Sequence, residues 1–142
     1  MRPLLFGESD PRLKHPSAAL LPWPPGTAGD RLRRHLGMSV EGYLGAFERK
    51  NLLWPEARWS ARDASLVATY YSGWWPGRPM VLLGARVARA FGVRYRPFTV
   101  SGRYAVLPHP SARCRAWNEP RARAAARRTV SRLCPGLLGG SP

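Results

Sequence analysis

Short blocks of continuous apolar residues alternate along this chain with segments whose apolar residues recur every three to four positions. PLLF at 3–6, MVLLG at 80–84 and AVLP at 105–108 have the length and continuity of strands buried on both faces. NLL at 51–53 leaves room for one more short strand. Behind Ser39, a good helix cap, Val40, Tyr43, Leu44 and Phe47 fall at i, i+3, i+4 and i+7, the spacing of one buried helix face. Ser60 and Asp63 make a capping-box pattern ahead of Ala64, Val67, Ala68 and Tyr71, with Gly73 as the stop. Shorter helices are predicted over 30–36, ending at Gly37, and around Val87, Ala88 and Phe91, ending at Gly92. The arginine-rich segment 120–133 places Ala122, Ala126, Val130 and Leu133 on one stripe of a last helix.

Strands that alternate with helices at this spacing predict an α/β fold: three α/β/α layers around a small, mostly parallel central sheet of about four strands. A chain of 142 residues suits a single domain over 1–142, with 138–142 as a flexible tail. Ligands of such sheets bind beyond the carboxyl ends of the strands. The stretch 8–29 carries Pro11, Pro16, Pro22, Pro24 and Pro25, which excludes long helices and central strands. A loop of that length inside a compact domain is often functional.

Charge sharpens the picture. Lysine and arginine number 23 against 8 aspartates and glutamates, a net charge of +15. Lys14 and Lys50 are the lysines and the other cations are arginine, whose fork suits phosphate. A G+C-rich coding sequence also enriches arginine, but such an excess predicts salt-sensitive binding of nucleic acid in general. Cys114 and Cys134 show neither CxxC spacing nor a Cys/His cluster, so no metal or other cofactor is expected. No stretch approaches the roughly 20 apolar residues of a membrane span, and the first residues lack the apolar run of a signal peptide. A cytoplasmic monomer without a membrane partner is the expectation.

The strand candidates end in polar groups: Glu8 and Asp10 after the first, Asn51 at the second and His109 after the last. In a parallel sheet those ends can converge. Singly, each has an ordinary explanation: a turn cap for Glu8 and Asp10, a loop amide for Asn51, a packed neutral imidazole for His109.

Four segments form a larger pattern. GES at 7–9 followed by Asp10 and Pro11, AGDRL at 28–32, VLLGARVARAFG at 81–92 and LPHPSARCR at 107–115 resemble, in order and spacing, the uracil-DNA glycosylase superfamily. The resemblance implies hydrolysis of the N-glycosidic bond of uracil or a modified pyrimidine after base flipping from DNA, in repair, defence or DNA modification. It implies a water-positioning carboxylate at Glu8 or Asp10 and a hydrogen-bond donor to the departing base at His109. Asn51 would read the base, an amide offering both donor and acceptor. Phe6 or Trp23 would stack on it. Ser111, Arg113 and Arg115 would grip the DNA backbone. The chain departs from the pattern in three places. Pro11 falls one position later than in the GExPG form, leaving Glu8 and Asp10 in competition. The HPS loop carries Ala112, Arg113 and Cys114 where many relatives insert a bulky leucine, which favours single-stranded substrate or an arginine wedge. The chain is also short, lacks the leading helix of typical members, and has too few cysteines for the cluster-bearing branches.

Two other readings compete. One is a non-catalytic nucleic-acid-binding module of the same fold. The other is a basic interaction protein in which Trp54, Trp59, Trp74, Trp75 and Trp117 are core or partner anchors, since tryptophan more often packs than stacks on bases.

Overall fold

The computed structural model describes residues 2–10, 15–54 and 57–139. Five strands and five helices follow one another: β1 (Leu4–Gly7), α1 (Ala28–His35), α2 (Val40–Ala46), β2 (Glu48–Asn51), α3 (Ala61–Trp74), β3 (Met80–Leu83), α4 (Ala85–Ala90), β4 (Thr99–Ser101), β5 (Tyr104–Leu107) and α5 (Ala122–Leu133). Short 3-10 turns occupy Pro16–Ala18 and Arg115–Asn118. The sheet runs β2-β1-β3-β5-β4. β2, β1, β3 and β5 are parallel, and β4 closes the edge antiparallel to β5.

Side-chain alternation across the buried strands sorts the helices into layers. Leu5, Val81, Leu83, Ala105 and Leu107 face Leu32 of α1 and Leu36 just after it, Tyr43 and Ala46 of α2, and Ala122, Ala126 and Val130 of α5. Leu4, Phe6, Met80 and Leu82 face Ala64 and Ala68 of α3 and Val87 of α4. The architecture is therefore α/β/α, as the alternation of elements predicts.

The sheet holds five strands rather than about four, and the differences have local causes. β4 belongs to a tight hairpin in which Gly102 takes φ +58; its three residues are too few to show a periodic pattern. β2 lies a few residues upstream of the predicted NLL strand. Its sequence ERKN is polar because it is an edge strand whose side chains find polar or aromatic partners: Glu48 pairs with Arg78, Arg49 donates to the Ala19 carbonyl at 2.9 Å, and Lys50 sits 5.6 Å from the Tyr71 ring centre. The pairing continues past its end, with Leu52 N–H donating to the Gly7 carbonyl and Leu53 N–H to that of Glu8. α3 passes through Gly73 to end at Trp74, because the helix is held by its Ala64 and Ala68 face and one glycine costs only about 1 kcal/mol. Leu138, at the start of the predicted tail, packs with Leu137 against the core. No helix among the described residues is long and apolar enough to cross a membrane.

Candidate active site

The chain leaves β1 for β2 on one side and returns to β3 on the other, so the gap between β1 and β3 is the point where winding reverses. Crevices outside the carboxyl ends of strands open at such points. A cavity of about 890 Å³ lies there, lined by Glu8, Asp10, Trp23, Asn51, His109, Ser111 and Arg113 among others. Residues up to 106 positions apart in sequence, Gly7 and Arg113, thus share one wall system.

Glu8 and Asp10 follow β1 directly. The Glu8 carboxylate accepts from Arg86 Nη1 at 3.3 Å, and Arg86, in the first turn of α4, also lies 5.5 Å from the Trp59 ring centre. Asp10 lines the same cavity; Pro11 of the GESDP segment falls outside the described residues. Asn51 ends β2 in register with Gly7. A Cβ on Gly7 would come within 2.5 Å of Asn51 Oδ1, so this turn requires glycine for the carboxamide to lie against the β1 backbone.

His109 follows β5 in a loop fixed from two sides. Gly84, at φ +92, brings its Cα hydrogens against the imidazole-bearing carbon, where a Cβ would stand 3.3 Å from His109 Cβ. Trp117 Nε1 donates to the His109 carbonyl at 3.1 Å. Trp117 in turn stacks on His35 of α1 with ring centres 4.2 Å apart and 5° between planes. Burial pushes the His109 imidazole below its usual value, partly opposed by the negative charge of Glu8. A neutral imidazole at neutral pH presents one N–H and no positive charge.

The proline-rich segment forms the opposite wall. Leu20, Leu21, Trp23, Gly26 and Thr27 line the cavity. Its backbone is held by side chains from three elements: Tyr43 hydroxyl to the Leu20 carbonyl at 2.8 Å, Arg49 to that of Ala19, and Arg31 Nε to that of Gly26 at 3.0 Å. Burial pushes the Tyr43 phenol well above its usual value, so it remains a donor at any physiological pH. Asp30, in the AGDRL segment, accepts from Gly26 N–H and from Arg33 and Arg34. These partners, the Gly26 amide foremost, bring its carboxyl down to about 2.

Two residues expected at the site stand elsewhere. Phe6 is fully buried on the far face of the sheet, with its ring 5.1 Å from that of Tyr71 and 5.0 Å from that of Phe91; alternation along β1 turns it away from the cavity, and it cannot stack on a base there. Trp23, in contrast, lines the cavity. Arg115 is exposed at the start of the second 3-10 turn and is not part of the cavity wall. Nothing in the sequence singles out Arg31, on the cavity wall, or Arg86, the partner of Glu8; within AGDRL and VLLGARVARAFG they look like the many arginines of the surface. Among the described residues no group of three or more His, Cys, Asp or Glu is arranged to hold a metal ion.

Comparison with known protein families, with curated proteins and with solved structures finds no match. The chemistry of the cavity therefore carries the functional argument.

Proposed function

We propose that this protein is a DNA glycosylase that hydrolyses the N-glycosidic bond of uracil or a modified pyrimidine flipped out of DNA. The observation that carries the reading is the meeting of Glu8, Asp10, Asn51, His109, Ser111 and Arg113 in one cavity at the carboxyl ends of parallel strands. Its volume of about 890 Å³ accommodates a nucleotide, within the range of small-molecule sites.

Cleavage of the bond between C1′ and the base nitrogen sends the electron pair to the base and leaves oxocarbenium character on the sugar. The carboxylate of Glu8 or Asp10 favours that cation and orients the water that attacks C1′; the water gives up its proton to that carboxylate and on to solvent, and the released base anion takes up a proton from solvent. The His109 N–H donates to the oxygen of the departing base, where negative charge develops. Because burial keeps the imidazole neutral, it acts as a donor to the anion rather than as a proton reservoir. The Asn51 carboxamide matches a carbonyl beside a ring N–H, and Trp23 supplies the aromatic wall. Ser111 and Arg113 hold the flanking phosphates, and Arg115 meets the backbone outside the cavity.

The test is incubation with end-labelled single- and double-stranded oligonucleotides carrying one uracil or one modified pyrimidine, followed by alkaline cleavage of abasic sites. Wild-type protein is expected to yield a cleavage band. His109→Ala lowers the rate by about 10²–10³-fold, the usual loss for one hydrogen-bond donor aimed at developing negative charge, and Glu8→Gln and Asp10→Asn identify which carboxylate serves the water. Absence of base release across the panel, with binding intact, overturns the hydrolase in favour of a binding module.

A further inference from the structure

A second cavity, of about 650 Å³, lies against α3 and is lined by Pro16, Asn51, Leu53, Trp54, Leu66 and Tyr70 among others. Asn51 belongs to both cavities, and the Pro16–Ala18 turn stands between them, giving Pro16 to one and Ala18 to the other. The outer side of this groove is unusually apolar for an exposed surface: Trp54 is 72% exposed, Leu66 63%, Tyr70 58% and Trp74 62%. Leu66, Tyr70 and Trp74 succeed one another at four-residue steps, so they form one ridge of α3, and the Tyr70 and Trp74 rings stack at 5.7 Å. Arg62, one step earlier on the same ridge, and Arg58 before the helix are exposed; Asp63 contributes an acid to the lining. Trp59 and Trp75, by comparison, are partly buried against the core.

We propose that this groove is a stacking track for single-stranded DNA, which leads bases flanking the flipped nucleotide away from the main cavity over Trp54, Tyr70 and Trp74. The inference rests on the reading of the main cavity as the seat of that nucleotide. Three observations favour a nucleic-acid strand over a protein partner. Asn51 lines both the groove and the main cavity, so a strand leaving one has a short path into the other. Exposed aromatic rings are sequence-tolerant platforms for unpaired bases. A molecule of net charge +15 attracts a phosphate chain to its surface while the rings engage the bases. A duplex keeps its bases stacked inside and gains nothing from the ridge.

The test measures binding of labelled twelve-nucleotide strands by fluorescence anisotropy, using the full chain. One strand is oligo-dT, which holds no uracil; the other carries the same phosphates on abasic sugars. Trp54→Ala and Trp74→Ala are each expected to weaken oligo-dT binding by about 10-fold, the usual loss for one stacked base, with Trp74→Phe restoring most of it. The abasic strand should bind wild type and variants alike, and the salt slope should not change, because no phosphate contact is removed. Equal oligo-dT affinity in wild type and variants overturns the track. So does concentration-dependent self-association that Trp74→Ala abolishes while strand affinity is unchanged, which assigns the ridge to a protein interface. A protein that releases base normally yet shows no effect of the ridge variants disproves the track alone; one that binds through the ridge and releases no base disproves the hydrolase alone.

Discussion

Gly7 and Asn51 sit side by side at the ends of β1 and β2, and their contact leaves no space for a methyl group. Gly7→Ala should therefore displace the carboxamide, costing about 1–3 kcal/mol of stability as an overpacking change and lowering base release more than strand binding. Kinetics on uracil-containing strands beside an anisotropy titration would separate the two effects. At His109 the important property is neutrality. Base release should stay level above neutral pH, where the imidazole keeps its single N–H and carries no charge, and change only on the acid side, where protonation overcomes the burial that disfavours it. A pH–rate profile that rises toward acid from neutral pH would contradict the neutrality assigned to it and point to a charged donor.

The loop after β5 shows how elements hold a single side chain in place. It carries His109 but is anchored through Trp117, whose indole N–H bonds the His109 carbonyl and whose ring rests on His35 at the end of α1. Trp117→Phe keeps the stacking and removes one buried hydrogen bond. The expected loss is about 1 kcal/mol, a drop of about 3 °C in Tm for a domain of this size, read by thermal melting. Base release should slow while affinity for the strand is retained. The opposite wall depends on α1 in the same way. Thr27 caps the helix by accepting from Asp30 N–H, and Asp30 ties Gly26 to Arg33 and Arg34, so the proline-rich segment is fixed by polar bonds rather than by regular structure.

Across the whole molecule, charge and titration set the response to salt and acid. For a single strand the logarithm of affinity falls with that of salt at about 0.7 per phosphate neutralised; five contacts would cost about 10²-fold between 50 and 200 mM. Titration of oligo-dT binding over that range would reveal the number of contacts. In acid, two windows follow from the shifted groups. The unfolded chain takes up protons on its histidines below about pH 6.5, whereas burial resists protonation of His109 and burial together with Arg123 and Arg31 resists that of His35. Unfolding therefore binds protons, and stability declines as pH falls from 7 toward 5. His35→Phe keeps a ring on Trp117 and should lessen that decline, as melting curves at pH 7 and 5 would show. Asp30, held down to about 2 from 3.8, contributes stability above about pH 4 that is lost as pH drops toward 2; Asp30→Asn should abolish this second decline.

The α/β class, the buried strands β1, β3 and β5 and the faces of α2, α3 and α5 are local properties: apolar runs and helical periodicity record how each segment must be buried. The capping serines 39 and 60 marked two helix starts for the same reason, since a cap bonds only three residues away. The polar ends Glu8, Asp10, Asn51 and His109 could be named as candidates because each follows an apolar run. Contacts between distant segments left no such trace. Strand β2 begins a few residues before the predicted NLL strand because its partners, Arg78, the Ala19 carbonyl and the Tyr71 ring, lie 21 to 30 positions away. Phe6 looked available until alternation in β1 placed it on the face opposite the cavity. The separation of exposed Trp54 and Trp74 from buried Trp117 likewise depended on which layer covers which face. Periodicity specifies that a side chain must be buried or exposed within its own element; which elements meet, and hence which polar ends share a cavity, is fixed only when the sheet order is.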